Sequence, residues 1–331
     1  MRFAMLIFLC AILFCLNLFF GAIHIPAEDV LNILLAREDT DSPVAFIILG
    51  SRLPQAVTAM FAGASLAVSG LLLQTAFRNP LAGPTILGVS SGASLGVAIV
   101  MLMTGGTVII GNAFLGGYAA IVGAALIGSL SIMGLLILLS SIIRNDLMLL
   151  IVGILIGYLT SSLVSLLSSL SNAEGIRSFV MWGMGTFGDV PMSRLPIFII
   201  ASLIGLAAAF FLAKPLNLLL LGENYARNLG VRIKAVRNML LLSTGLLTAV
   251  TTAFCGPVGF VGIASPHISR MLFKSDNHQI LIPATILIGS IMTLLCNWAS
   301  TIPENTVIPI NALTPLAGVP VILYVILRKR A

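Results

Sequence analysis

The sequence predicts an all-α integral membrane protein of ten transmembrane helices. Three observations carry this: hydrophobic residues make up 59% of the 331 positions and charged residues only 8%, the mean hydropathy is +1.13, and apolar runs of membrane-crossing length recur from end to end. Soluble domains carry roughly 25% charged residues, so a water-soluble fold is excluded.

A helix needs roughly 20 apolar residues to cross the hydrocarbon. Runs of about that length, bounded by charge, Pro or Gly, extend over Phe3–Ile23, Pro54–Phe77, Ile86–Met103, Ala113–Ile143, Leu147–Leu170, Leu195–Ala213, Ile233–Phe254, Pro257–Leu272, Ile280–Trp298 and Val307–Leu327. The first follows Arg2 as a secretory signal would, but its apolar stretch is too long and no small-x-small cleavage site precedes His24. It is expected to remain as a span. The eighth is short and broken by Gly256, Pro257, Gly259 and Gly262; irregular backbone in a membrane is tolerated where it lines a cavity. Small residues four apart, Gly63 with Ala67, Gly92 with Gly96 and Gly153 with Gly157, predict close helix packing. The second to fifth and seventh to tenth spans enter from opposite faces, the arrangement of inverted repeats. The whole chain, 1–331, reads as one transmembrane domain.

An even number of spans puts both termini on one side, and charge says which. With the termini inside, thirteen of the 17 cations lie inside: Arg2, Arg78, Arg144, Lys214, Arg227, Arg232, Lys234, Arg237, Arg270, Lys274, Arg328, Lys329 and Arg330. Arg37, Arg52, Arg177 and Arg194 lie outside. Eight acids are outside (Glu28, Asp29, Glu38, Asp39, Asp41, Glu174, Asp189, Glu304), against Asp146, Glu223 and Asp276 inside. Both termini are therefore expected in the cytosol of a bacterial inner-membrane, multi-pass protein, and the net charge of +6 reports topology rather than nucleic-acid binding.

Almost no ionisable residue falls at mid-span, where each would cost roughly 2.5–3.5 kcal/mol; a proton- or ion-coupled pump needs such groups. No Walker A pattern is present, because none of Lys214, Lys234, Lys274 or Lys329 follows a Gly, and no HExxH motif or Cys-His cluster points to catalysis or a metal. No catalytic residue, metal ligand or cofactor is expected in this chain. The four cysteines, Cys10, Cys15, Cys255 and Cys296, lie in or beside apolar runs without paired spacing. They read as small apolar fillers.

If the chain moves solute, energy must enter from a partner. The polar island Lys214–Arg237, KPLNLLLLGENYARNLGVRIKAVR, holds five cations around Glu223 and a short amphipathic segment. It is the one expected inner loop long enough to fold into a docking surface, with LNLLLL, Ala226 and Leu229 as apolar contacts.

Three long stretches resemble the FecCD-type (cobalamin and iron-siderophore) permeases of bacterial ABC importers. The first is Arg52-Leu53-Pro54 with GASLAVSGLLLQTAFRNPLAGPTILGVSSGASLG from Gly63 to Gly96, the second LNLLLLGENYARNLGV from Leu216 to Val231, and the third GPVGFVGIASPHISRML from Gly256 to Leu272. The resemblance covers nearly the whole chain. It implies a type II importer fold, a second permease subunit forming a homodimer around a central pathway, a cytosolic ABC ATPase dimer that uses ATP and Mg, and an extracytoplasmic substrate-binding protein. It implies coupling to the ATPase through Gly222, Glu223, Ala226, Leu229 and Gly230, with Arg227 among them, and a cytosolic gate at Asn79, Pro80 and Leu81. It also implies a salt bridge from Arg52 to the binding protein. Two departures stand out: Gln55 where the family often has a second Arg, and Asn311 where it commonly has Gly. Trp182 reads as an anchor at the outer membrane interface or, by its family position, as lining of the outer vestibule; His267 corresponds to a motif position found regardless of cargo, so a structural histidine is expected rather than a haem ligand. The expected cargo is a bulky metal chelate, iron-siderophore first, with cobalamin and haem behind it. A secondary transporter or channel without an ATPase is the alternative.

Overall fold

The computed structural model describes residues 1–35, 42–105, 107–110, 113–143, 145–302 and 307–328. The charges placed above at Arg37, Glu38, Asp39, Asp41, Arg144, Glu304, Lys329 and Arg330 lie outside them. The helices are α1 (Arg2–Phe19), α2 (Ala27–Leu34), α3 (Pro43–Ala45), α4 (Leu53–Ala76), α5 (Val89–Ala98), α6 (Tyr118–Ile142), α7 (Asp146–Ser169), α8 (Ala173–Gly183), α9 (Leu195–Leu220), α10 (Glu223–Asn228), α11 (Ile233–Cys255), α12 (Val261–Phe273), α13 (His278–Ser300) and α14 (Ile310–Arg328). Two strands, β1 (Thr107–Ile110) and β2 (Ala113–Gly116), pair antiparallel.

Among the described residues, seven helices are long and apolar enough to cross a membrane: Arg2–Phe19, Pro43–Ala76, Tyr118–Ile142, Leu147–Ser169, Leu195–Leu220, Ile233–Cys255 and His278–Ser300. The remaining three predicted segments are helical too, with shorter described apolar stretches, at Val89–Met103, at Ile310–Tyr324 within α14, and at Val261–Phe273. Gly88, at φ 76°, delays the start of α5, and Phe260 at φ 63° does the same for α12. Ala113–Gly116, expected within a span, is instead the second strand of the hairpin. The amphipathic helices α2 and α8 were not anticipated.

The second predicted span differs most. It runs from Pro43 rather than Pro54, with a π-helical stretch at Phe46–Arg52 between α3 and α4. The reason is local: Pro54 has no N–H to give the preceding turn and its ring crowds the carbonyl four residues back. The wider turn absorbs this, and Leu53 N–H bonds the Ile48 carbonyl. Arg52 therefore sits inside a long helix rather than at its head.

The helix formed by Pro43–Ala76 is the axis of the bundle, with 83% of its most apolar window buried, whereas the figure for Leu147–Ser169 is 22%. Leu155, Tyr158, Leu159, Leu163 and Leu166 of α7 are exposed apolar side chains, a surface for lipid or another subunit rather than for water. The small-residue reading holds in detail. A Cβ on Gly63 would overlap the Gly289 carbonyl, one on Gly92 or Gly96 would strike the backbone of α6, and one on Gly153 would lie 3.1–3.2 Å from Leu87. Thr293 and Ser290 of α13 add hydroxyl bonds to the α4 carbonyls of Ala59 (2.7 Å) and Met60 (2.9 Å). Such close approach replaces the hydrophobic drive that lipid does not supply.

Contacts bring several turns to one end of the bundle. Phe3 packs on Phe273 at 4.5 Å between ring centroids, Pro80 meets His267, and Asn217 meets Asn277. This basic end collects the start of α1, the 78–82 turn, α10 and the 274–277 turn. The opposite end carries α2 and α8.

Candidate coupling and gate site

At the basic end, α9 continues past Lys214 and Pro215 to Leu220. LNLLLL is thus the last turns of a long helix, with Leu216 fully buried, and not part of a free docking loop. The candidate docking segment begins later. Gly222, at φ 109°, turns the chain into α10, a conformation that glycine adopts without the Cβ penalty. At the other end Gly230 N–H bonds the Arg227 carbonyl and Val231 N–H the Ala226 carbonyl, both at 3.0 Å. With Gly230 left-handed at φ 84°, this is a Schellman motif, which ends the helix and satisfies its last carbonyls.

Within this short helix the predicted residues divide by direction. Ala226 is fully buried and seats the helix on the bundle, while Tyr225 and Leu229, each 53% exposed, face outward one turn apart. Arg227 is also exposed. Glu223 faces back toward Arg237 at 4.0 Å, a partly exposed pair of small energetic weight. Tyr225 was not among the predicted residues; its i, i+4 spacing to Leu229 was the available signal.

The turn implied as the gate follows α4. Arg78 N–H bonds the Thr75 carbonyl at 3.4 Å and Asn79 N–H the Gln74 carbonyl at 3.2 Å. Arg78 itself is left-handed at φ 45°, a position where glycine is usual. The Asn79 side chain accepts from Leu81 N–H at 2.9 Å and its carbonyl from Ala82 N–H at 3.1 Å, an Asx turn. Leu81 is left 46% exposed at the tip. His267 Nε2 lies 2.8 Å from the Pro80 carbonyl. A carbonyl only accepts, so Nε2 carries the proton. His267 thereby ties the turn to α12, the structural role expected of it, and among the described residues no group of three or more His, Cys, Asp or Glu is placed to hold a metal.

Beneath the turn, Arg270 donates to Gln74 Oε1 at 2.6 Å and approaches Asp276 at 3.6 Å, while Gln74 donates to the Ile263 carbonyl at 3.2 Å. These polar residues on α4 and α12 were not anticipated, since isolated Gln and Arg residues at span ends carry no sequence signature.

At the other end, Arg52, the implied docking residue, is turned into the bundle. Its guanidinium donates to the carbonyls of Leu18 (2.8 Å), Phe19 (3.0 Å) and Ile23, and the residue is 6% exposed. It caps the C-terminus of α1, where a cation meets the last carbonyls and the negative end of the helix dipole. Gln55, the departure beside it, donates to Asn297 at 2.9 Å. Asn311, the other departure, donates to the Gly183 carbonyl at 3.0 Å, accepts from Gly259 N–H at 3.3 Å, and bonds the Met184 carbonyl through its backbone. It stitches the end of α8 to the broken segment before α12. Trp182 stacks on Phe179 at 6.2 Å and is half-buried. Arg194 lies over the Tyr118 ring at 5.4 Å, and in the loop before α9 partial burial raises the Asp189 carboxyl above its ordinary value. Asn145 caps α7, accepting from Leu147 and Met148 N–H. The four cysteines are free.

The described residues thus form a polytopic helical bundle with an outward-facing short helix and a strapped turn at its basic end. Residues 9–328 match the model of the FecCD transport family, and the chain belongs to that family, the permeases of ABC importers, which work with an ATPase and a substrate-binding protein. It is 35% identical over 278 residues to the molybdate import system permease protein MolB of Haemophilus influenzae, covering 83% of this chain and 79% of the relative. It is 34% identical over 287 residues to the vitamin B12 import system permease protein BtuC of Salmonella typhi, covering 84% and 82%. A solved structure classed as a metal-chelate type ABC transporter, in an inward-facing conformation, aligns over 99% of both chains with a TM-score of 0.86 and 31% identity.

Proposed function

We propose that this chain is the permease of a bacterial inner-membrane importer that takes a bulky metal chelate from its binding protein and releases it into the cytosol. Ten helices cross the membrane in this reading, the three short ones among them, with the basic end and both termini cytosolic. The partition of cations and acids supports that orientation. Two copies form a homodimer around the pathway, and lipid or the second copy covers the exposed leucines of α7.

The observation that carries the reading is α10: a helix held from behind by Ala226, presenting Tyr225 and Leu229 among Arg227 and Arg232. It is rigid, amphipathic and bounded by two positive-φ glycines, suited to seat in a cleft of the ATPase and pass its closure to α9 and α11. Asn79, Pro80 and Leu81 form the cytosolic gate, with exposed Leu81 at its tip. No ATP or Mg site belongs to this chain; those belong to the partner.

Iron-siderophore is the first cargo, with cobalamin and haem behind it; the similarity to a vitamin B12 permease and to a metal-chelate transporter supports a large chelate. Molybdate is a second reading, favoured by the Haemophilus relative. Uptake into vesicles holding permease, ATPase and binding protein tests the class: transport is expected to require ATP. Uptake that persists without ATP, driven by a proton gradient, would return the chain to the secondary transporters. Titrating the cognate binding protein with ferric siderophore, cobalamin, haem and molybdate then identifies the cargo.

A further inference from the structure

The gate turn and the coupling helix are not adjacent in sequence, so a motion entering at α10 needs a physical link to reach α4. α9 and α4 pack directly on each other through the core that holds Leu72 and Leu216, and one buried side chain bridges their ends by hydrogen bonds. His278, in the first turn of α13, is 1% exposed. Its Nδ1 lies 2.9 Å from Asn217 Oδ1, and its backbone N–H donates to the same oxygen at 2.8 Å. Its Nε2 lies 2.8 Å from the Thr75 hydroxyl.

The partners fix the roles. Asn217 Nδ2 donates to Asn277 Oδ1 at 2.8 Å, so Oδ1 is the atom turned to His278, and an amide oxygen only accepts. Nδ1 therefore carries the proton, and in the neutral ring Nε2 is an acceptor for the Thr75 hydroxyl, whose single proton it shares with the Leu71 carbonyl 3.0 Å away. Thr75 stands four residues before Asn79 on α4, and Asn217 five residues before Gly222 on α9. Where these ends face each other, beside α11, they border a small, partly open cleft lined by Thr75, Arg78, Leu219, Glu223 and Arg237.

Resting on the coupling and gate roles proposed above, we infer that His278 is a positioning residue that transmits displacement from the end of α9 to the end of α4. Its two nitrogens sit in one rigid ring, so movement of Asn217 is passed to Thr75 without a rotatable bond between them. A flexible side chain would absorb it.

The test reads gate motion and requires no cargo. Leu81→Cys is introduced in a Cys15→Ser background, the remaining cysteines being buried, and its labelling by a soluble maleimide is followed with the cognate ATPase bound, with and without Mg-ATP. The unmodified link is expected to give an ATP-dependent change in labelling rate of about 5-fold or more, the scale of ordinary allosteric coupling. His278→Asn keeps a group at the Nδ1 position only, and His278→Gln one at the Nε2 position only. Each is expected to abolish the change while ATPase binding and ATP hydrolysis stay near wild type and melting temperature falls only by the modest amount that one lost buried hydrogen bond brings. Thr75→Val should do the same, and adding it to His278→Asn should do nothing more, as expected of one shared link. An ATP-dependent change that survives in both His278 variants overturns the link and leaves the gate reading standing. A change lost only together with a larger fall in melting temperature or with ATPase binding reduces His278 to a structural role. No change even with His278 intact overturns the gate reading, and this link with it.

Discussion

Asn297 donates its side-chain amide to Asn17 Oδ1 at 2.7 Å, across residues 280 positions apart in the chain. Asn17 in turn donates to the carbonyls of Leu13 (2.7 Å) and Leu294 (3.1 Å), and Gln55 donates to Asn297 Oδ1. This buried ladder joins α1, α4 and α13. Replacing Asn297, its central member, by Ala takes the donor from Asn17 Oδ1 and the acceptor from the Gln55 amide, at a cost of roughly 1–3 kcal/mol, and should lower the melting temperature in detergent more than Gln55→Ala does. Asn17→Ala combined with Asn297→Ala should fall short of the sum of the single effects; additive losses would show that the ladder is not one unit.

The helices were legible because length and apolarity mark a span wherever it occurs, and the small-residue pairs were legible because period four places them on one face. The ladder was not. Asn17, Gln55 and Asn297 are single polar residues in different spans, and nothing local tells which will meet. The π-helical stretch before Pro54 and the extension of α9 through Pro215 were missed for a related reason: proline and lysine mark boundaries in a linear reading, but a helix packed on its neighbours absorbs both. At the site, the glycines that bound α10 were visible from the resemblance, whereas the inward turn of Ala226 depends on how α10 sits against α9 and α11.

Arg52 separates a structural cation from a docking one. Three carbonyls accept from its guanidinium, and bonds to a charged group are worth about 1.5–3 kcal/mol each in buried settings. Arg52→Ala is expected to lower thermal stability, with Arg52→Lys close behind because a point charge cannot fork to the same acceptors. Affinity for the binding protein, measured on the folded fraction, should be unchanged. Weakened binding-protein affinity at normal stability would restore the surface role.

Gly70 meets α12 at the backbone: a Cβ there would overlap the Gly262 carbonyl, and a Cβ on Gly262 would lie 2.8 Å from the Leu66 carbonyl. Neither neighbour is a side chain that can rotate away. Gly70→Ala is therefore expected at or beyond the upper end of the roughly 1–3 kcal/mol range for overpacking, and Gly123→Ala, which meets nothing within 4 Å, near zero. Comparable melting temperatures for the two variants would contradict the close approach.

Asn311→Gly restores the residue common in the resembling family and removes the bonds to Gly183 and Gly259. The loss should be modest, about 1–2 kcal/mol for two partly buried bonds, and local. Hydrogen exchange at residues 184–190 and 256–260 should quicken while α4 and α13 keep their protection. Uniform acceleration across the bundle would mean that Asn311 supports the whole fold instead.

The coupling helix makes the sharpest demand on function. Ala226 and Leu229 both belong to the segment implied by the resemblance, yet one faces the bundle and the other faces away. Substituting each should therefore fail in different ways. Leu229→Ser and Tyr225→Ser leave the seat of α10 intact and should keep the melting temperature, while weakening ATPase binding about tenfold or more, the loss typical of a central apolar contact. Ala226→Leu forces a larger side chain against α9 and α11, so stability should fall along with coupling. Gly222→Ala meets no steric barrier but places a Cβ at φ 109°, straining the turn that aims the helix. Its ATPase binding should drop without the apolar surface having changed. If Tyr225→Ser and Leu229→Ser bind the ATPase as wild type does, α10 is not the docking helix, and the exposed Leu220 and Leu221 before it become the surface to test.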